Sequence, residues 1–117
     1  VCQKIAREFA RYDTPTIFVL LPVYYQVHQE VFYDFLELTE VPQGSSDLEQ
    51  PNRLLQTTFL QDSLRLYDPL PAMREDARLG RQLYGSVDRH LSPRGHEVVA
   101  EFLFPILESY AVRSDTQ

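Results

Sequence analysis

The sequence predicts an α/β fold in which helices cover a parallel β-sheet, and three features lead to this prediction. A helical pattern over residues 1–12 is followed by a turn and then by an uninterrupted apolar run over residues 16–21. Such a run, without alternation of polar and apolar residues, is typical of a strand buried on both faces. A second short strand is predicted over residues 64–67, and a strongly periodic helix is predicted from Ser92 onward.

The first helix is predicted to pack on one side, because its apolar residues recur at spacings of three and four. They are Cys2, Ile5, Ala6, Phe9 and Ala10. The helix is expected to end before Pro15, since the residue preceding a proline is pushed out of helical geometry.

The middle of the chain is predicted to contain three further helices separated by loops. One follows Pro22 and runs to about residue 38 or 39, and the next runs from Pro51 to Gln61 after a loop over residues 41–47. A third is predicted over residues 72–78. The buried face of the second is expected to comprise Leu54, Leu55, Phe59 and Leu60.

The last helix has the clearest start signal, with Ser92 suited to the N-cap and Pro93 to the first helical position. Its apolar face is predicted to pack on the sheet. That face comprises Val98, Val99, Phe102, Leu103, Ile106 and Leu107. Pro105 removes a helical hydrogen bond and is expected to kink or divide the helix. Residues 112–117 are polar and are expected to fray.

Composition excludes several classes of function. The chain has 117 residues with a formal net charge of −6, and its eleven Lys and Arg residues are scattered, which argues against nucleic-acid binding. Cys2 is the only cysteine, so neither an internal disulfide nor a cysteine metal cluster can form. The longest apolar run is interrupted by Pro22 and is about half the length of a membrane-spanning helix, so no membrane span is predicted. No cofactor motif is present, and the compartment stays undetermined.

The chain is expected to be part of a longer domain. It starts at Val1, within a helical pattern that has already begun. Two predicted strands also make a poor sheet, with edges that normally find partners. We therefore expect residues 1–117 to self-associate or to be completed by further sequence.

Asp88 and His90 form the candidate catalytic pair. Residues two apart on an extended loop point the same way, which lets the carboxylate reach one ring nitrogen and leaves the other facing a cleft. A carboxylate in that position sets the tautomer of the imidazole and stabilises the imidazolium in acyl transfer. Two other interpretations stay open at this point. The pair could be a solvated turn, or Asp88 and His90 could join His96 as metal ligands.

Two tyrosines at the end of the first predicted strand are candidate binding residues. Ligands of open parallel sheets bind outside the carboxyl ends of the strands, where Tyr24, Tyr25 and His28 follow. The alternative is that the tyrosines cap the core with their hydroxyls in water.

The region from Leu83 to Glu101 resembles the last conserved block of the SGNH, or GDSL-type, hydrolases, a family of esterases, lipases and carbohydrate acetylesterases. The resemblance lies in Leu83-Tyr84, Asp88-x-His90 and Pro93-x-Gly95-His96, followed by Val98-Val99-Ala100-Glu101 and an apolar helix. Upstream, the strand running into Leu21-Pro22 and the stretch over residues 66–71 are also similar to that family. The resemblance covers roughly residues 14–110.

The resemblance implies a three-layer, flavodoxin-like α/β domain of which residues 1–117 are the C-terminal portion. It implies a Ser-His-Asp mechanism on an oxygen ester, such as an O-acylated carbohydrate or a lipid ester, with His90 as general base and Asp88 as the acid that orients it. The Gly-Asp-Ser motif that carries the nucleophile in this family does not occur here. Gly44-Ser45-Ser46-Asp47 lies in a loop with no preceding strand and is rejected as the nucleophile.

The resemblance implies lesser roles for three neighbouring residues. His96 is expected to pack or hydrogen bond in the first turn of its helix. Arg89 and Arg94 flank the pair, and they are expected to be solvated rather than bound to an anionic substrate. Without its nucleophile, the chain alone is expected to lack esterase activity.

Two other functions stay open. One is a non-catalytic domain whose cleft binds a glycan or lipid. The other is an unrelated α/β interaction module in which Asp88 and His90 only set a turn.

Overall fold

The computed structural model describes the backbone of residues 1–114 and the side chains of residues 1–42 and 44–111. Six α-helices form most of the chain: α1 (Cys2–Ala10), α2 (Tyr24–Val27), α3 (Gln29–Leu38), α4 (Gln50–Gln61), α5 (Leu70–Arg78) and α6 (Pro93–Ser114). Two strands, β1 (Phe18–Val19) and β2 (Leu66–Tyr67), and a 3₁₀ helix over Gln43–Ser45 complete the elements. The fold is thus helix-rich with a small sheet, and the predicted helices and strands lie close to their expected positions.

The two strands are parallel, as predicted. Phe18 pairs with Leu66 and Val19 with Tyr67, and the amide of Phe18 donates to the carbonyl of Arg65 at 2.8 Å. The prediction that β1 is buried on both faces is wrong, because both of its residues are only half-buried and the following Leu21 is 51% exposed.

The small size of this sheet explains two further departures from the predictions. Two strands of two residues each cannot cover the apolar faces of several helices. No residue of α1 is buried, and on α4 the predicted core residues Leu54 and Leu60 are 62% and 79% exposed while the polar Asn52 is buried. Helix α6 packs mainly against α5, and it reaches the sheet near its far end, where the hydroxyl of Tyr110 lies 3.0 Å from that of Tyr67 on β2.

The chain is elongated, with extents of 57 × 29 × 21 Å and a radius of gyration of 17.2 Å. A compact domain of this length would have a radius of gyration of about 13 Å. The exposed apolar faces and the elongated shape have the same origin, which is the lack of a wide sheet at the centre.

The core lies where α2, α5 and the start of α6 meet, next to the candidate catalytic loop. Its buried members are Val27, Leu70, Met73, Leu83, Tyr84 and Val98. Leu83 and Tyr84 immediately precede the loop that carries Asp88 and His90, so the loop emerges directly from the best-packed part of the chain.

The start of α6 follows the sequence prediction. Ser92 caps the helix, with its hydroxyl accepting a hydrogen bond from the amide of Gly95 at 3.1 Å and donating to the carbonyl of Gln82 at 2.7 Å. A side chain at Gly95 would not fit, because its Cβ would lie 2.1 Å from the carbonyl oxygen of Leu83. The glycine lets the helix approach the Leu83 backbone closely.

The far end of α6 differs from the prediction. The helix continues through Pro105 and extends to Ser114, so the proline does not divide it, and the alternative of a kink at Pro105 stays a prediction. The first three residues of the segment expected to fray are therefore helical, and residues 115–117 lie outside the described residues. Among the residues that the structure describes, no helix has both the length and the apolar character needed to cross a bilayer.

Candidate active site

The loop of residues 85–90 is closed at its base by backbone hydrogen bonds. Tyr84 and Leu91 form an isolated antiparallel bridge, as expected for an extended segment that anchors the loop. The amide of Gly85 donates to the carbonyl of His90 at 2.7 Å, and the amide of Ser92 donates to that of Leu83 at 2.9 Å. The two ends of the loop are thus fixed to each other and to the start of α6.

Asp88 and His90 lie together at the tip of this loop. Oδ2 of Asp88 is 3.1 Å from Nδ1 of His90, and Oδ1 of Asp88 accepts the backbone amide of His90 at 3.1 Å. Both side chains are exposed, His90 by 85% and Asp88 by 63%. The carboxylate holds the ring by Nδ1, which leaves Nε2 as the nitrogen with a free lone pair.

The same contacts change the acidity of Asp88. The hydrogen bond from the His90 side chain, and after it the bond from the His90 backbone, lower the pKa of Asp88 from its ordinary value. Asp88 is therefore ionised at neutral pH, which is the form that accepts the Nδ1 proton.

Arg89 adopts the left-handed conformation that allows this turn. Its φ is 59°, a value that a non-glycine residue seldom adopts. With Arg89 in this conformation, Asp88 contacts both the backbone and the ring of His90.

The side chain of Arg89 crosses to α2 and stacks on Tyr24. Its guanidinium carbon lies 3.9 Å from the centre of the Tyr24 ring. Tyr24 also meets Tyr84 edge-on, at 5.9 Å between ring centroids and an interplanar angle of 85°. The structure thus brings Tyr24 to the loop of residues 85–90, and the ring contacts both the tip and the base of that loop, while its predicted role in binding a ligand stays a prediction.

Tyr25 and His28 lie behind Tyr24. Tyr25 packs edge-on against Tyr24 at 5.3 Å and against Phe32 at 5.9 Å, and it is 38% exposed. His28 is buried at 8% exposure with its ring 5.0 Å from that of Tyr24, and its Nε2 has no hydrogen-bond partner among the described residues. His28 therefore belongs to the aromatic cluster beneath the loop.

Arg94 is held by carboxylates, contrary to the expectation of a solvated side chain. Asp76 accepts hydrogen bonds from Nε of Arg94 at 3.1 Å and from its Nη2 at 2.6 Å. Glu97 and Glu101 each accept a hydrogen bond from its Nη1 at 3.1 Å. Asp76 also binds Arg81 at 2.7 Å. This network ties α5 to the first turns of α6, and it occupies four of the five N–H donors of Arg94.

A buried polar chain joins the carboxyl ends of the two strands. The side-chain amide of Gln26, on α2 after β1, donates to Asn52 at 2.7 Å, and Asn52 donates to Asp68, after β2, at 2.6 Å. The second carboxylate oxygen of Asp68 accepts the amide of Leu70 at 2.9 Å and starts α5. Sequence reasoning missed this chain, since its members are far apart in sequence and match no motif.

The remaining predicted residues lie apart from the pair. His96 is exposed in the first turn of α6. The hydroxyl of Ser45 donates to the carbonyl of Pro42 at 2.6 Å within the 3₁₀ helix. Within the described part of the chain, no three His, Cys, Asp or Glu side chains are grouped to hold a metal ion, so the grouping of Asp88, His90 and His96 as ligands is not formed.

The grooves described on the surface lie elsewhere. One lies between α1 and residues 62–64, one between α4 and β2, one beside α2, α3 and α5, and one between α5 and α6. None of these four is lined by Asp88 or His90. Among the described residues, no serine hydroxyl is hydrogen bonded to His90 either.

The site therefore contains an ionised acid and a histidine oriented by it on an exposed loop. In comparisons with known proteins, no family model, no curated protein and no solved structure matches the chain.

Proposed function

We propose that this chain supplies the Asp-His half of a Ser-His-Asp triad in an SGNH-type esterase or acyl hydrolase. The observation that carries the proposal is the 3.1 Å contact between Oδ2 of Asp88 and Nδ1 of His90, combined with 85% exposure of the histidine side chain. The substrate would be an oxygen ester, either an O-acylated carbohydrate or a lipid ester. The nucleophilic serine would come from sequence outside residues 1–117.

In this mechanism His90 moves one proton in each half of the reaction. As the serine oxygen attacks the ester carbonyl, Nε2 of His90 takes the hydroxyl proton and Asp88 stabilises the resulting imidazolium. The imidazolium then gives that proton to the departing alcohol, which leaves an acyl-serine. Water then attacks the acyl-serine, and Nε2 of His90 takes a proton from that water. The imidazolium gives the proton to the serine oxygen, which releases the acid and restores the free serine.

The small sheet is consistent with a domain completed by further strands. Two strands of two residues leave backbone groups and apolar side chains at the sheet and on α4 without cover, and unpaired sheet edges usually acquire partners. A three-layer α/β domain would provide that cover, either from further sequence of the same protein or from self-association.

The first test uses the chain alone with p-nitrophenyl acetate. Since it would lack the nucleophile, we expect no turnover above that of the His90→Ala variant. Rapid turnover that depends on His90 would contradict a shared triad, because it would place a complete catalytic site within these residues.

The second test uses a longer protein that contains this chain and a Gly-Asp-Ser motif. His90→Ala should lower kcat by roughly 10²- to 10⁴-fold, the range for loss of a general base. A fluorophosphonate probe should label the motif's serine in the wild type and fail to do so efficiently in His90→Ala. His96→Ala is the matched control, since it removes another exposed histidine six positions away and should keep near-normal activity. Near-normal activity in His90→Ala would show that the triad assignment is wrong.

A second candidate function is an interaction module without catalysis. The exposed Leu60 on α4 favours it, because it lines a surface groove with Phe59 and Leu66, and apolar side chains grouped at the surface often mark interfaces. In that case Asp88 and His90 would serve only to close the turn, and the probe would label no serine in the longer protein.

A further inference from the structure

The catalytic loop has few contacts besides those at its base. Residues 86–90 are all exposed, and Val87 is 93% exposed. The backbone bonds at the base join Gly85 to His90 and Leu83 to Ser92, but they do not attach residues 86–89 to another element. Among the described residues, the contact that joins the tip to another element is the stacking of Arg89 on Tyr24.

Arg89 is engaged by this aromatic ring and by no carboxylate. Most arginines of the chain pair with an acidic side chain, including Arg53, Arg74, Arg78 and Arg94. Among the described residues, Arg89 has no such ion pair, although the chain carries a net charge of −6. A guanidinium near a tyrosine face is attracted by the ring quadrupole, so Tyr24 provides the attraction that fixes this side chain.

Tyr24 is itself held rigidly. Its ring packs against both the buried His28, at 5.0 Å, and Tyr84, at 5.9 Å, and those two rings are 6.3 Å apart. The hydroxyl of Tyr84 in turn donates to the carbonyl of Pro22, next to the start of α2. The ring that receives Arg89 is thus partly buried and packed against the core, which makes it a fixed support for the loop.

We infer that Tyr24 is a positioning residue, which holds the 85–90 loop through Arg89 so that the ring of His90 stays on the carboxylate of Asp88. Arg89 lies between the two members of the pair in sequence, so fixing its side chain restrains both neighbours. The catalytic consequence rests on the proposed function, whereas the restraint on His90 does not.

The experiment reads the tautomer of His90 by ¹⁵N NMR on the 117-residue chain, at a pH where the imidazole is neutral. The contact with Asp88 favours the tautomer with hydrogen on Nδ1. In Tyr24→Leu and in Arg89→Gln, we expect the ratio of the Nδ1–H to the Nε2–H tautomer to fall about two- to fivefold, which corresponds to losing one exposed cation–π contact. Tyr24→Phe keeps the ring face and should keep the ratio.

Tyr25→Leu is the matched control, because Tyr25 is the adjacent tyrosine and packs on Tyr24 and Phe32 rather than on the loop. Arg89 is exposed, so its substitution leaves the core intact even if Tyr24→Leu lowers stability. An unchanged ratio in Arg89→Gln would overturn the inference, and so would an equal fall in Tyr25→Leu. No substrate is used, so failure here is distinct from failure of the proposed hydrolase activity.

Discussion

Gly85 lies against the carboxylate of Asp88 so closely that a Cβ at this position would be 2.5 Å from Oδ1. That oxygen accepts the backbone amide of His90. The lack of a side chain at Gly85 is therefore a condition for the geometry of the Asp88–His90 pair.

Gly85→Ala should disturb the pair more than the fold. The clash is with the end of a mobile side chain, so Asp88 can rotate away at little cost in stability while its bonds to His90 weaken. The pKa of Asp88 should then rise toward its ordinary value, because those bonds are what lower it. A ¹³C NMR titration of the carboxyl group measures this, and an unchanged midpoint would contradict it. Gly44→Ala, where nothing lies within 4 Å, is the control.

Gly95→Ala should lower the stability of the fold rather than disturb the Asp88–His90 pair. Its Cβ would lie 2.1 Å from the Leu83 carbonyl oxygen and 3.0 Å from Leu91 Cδ2. Because the carbonyl oxygen belongs to the backbone, it can move only if the segment around Leu83 moves away from α6. We expect a loss of about 1–3 kcal/mol in the free energy of unfolding, as for other overpacked sites. Urea unfolding compared with Gly44→Ala tests this, and equal midpoints for the two variants would show that the close approach is not needed.

Asp76→Asn should destabilise the junction of α5 and α6. Asp76 is 8% exposed and binds Arg94 and Arg81, so its neutralisation should cost about 1.5–3 kcal/mol, the range for hydrogen bonds to charged groups. Glu75→Gln, on the exposed neighbour that pairs with Arg78, should cost much less. Urea unfolding at neutral pH compares the two, and similar losses would contradict the prediction.

The same carboxylate should make stability depend on acid pH. The side-chain hydrogen bond from Arg94 holds the pKa of Asp76 below its unfolded value of 3.8. A lowered folded pKa contributes stability that is fully present above the unfolded value and is lost as the pH falls through the folded one. Unfolding midpoints measured from pH 6 to pH 2 should therefore fall less steeply below about pH 4 in Asp76→Asn than in the wild type, and parallel curves would exclude this role.

Tyr84→Phe should remove a loss of stability that the wild type shows as the pH rises into the alkaline range. Burial raises the pKa of Tyr84 from 10.0 to about 12. A raised folded pKa contributes stability that is complete below the unfolded value and is lost as the pH rises toward the folded one. The wild type should lose this stability between pH 10 and 12, and Tyr84→Phe should not. At neutral pH the variant should be less stable by about 1 kcal/mol, since the hydrogen bond to Pro22 is lost.

Local signals predicted the elements and the contact between Asp88 and His90. The caps, prolines and apolar periodicity located the helices, and the spacing of Asp88 and His90 predicted their contact. The burial of α1, α4 and β1 was predicted wrongly, because periodicity indicates which face is apolar but not whether another element covers that face.

What the sequence by itself determined is local: the helix start at Ser92, the positions of the two short strands, and an acid two residues before a histidine. Tertiary structure decided what supports that pair. Tyr24, Arg89 and Tyr84 come together because α2 packs beside the loop, and Gln26, Asn52 and Asp68 meet because two parallel strands end at the same edge. These contacts join residues far apart in the chain, and such contacts leave no periodic signal that the sequence alone could show.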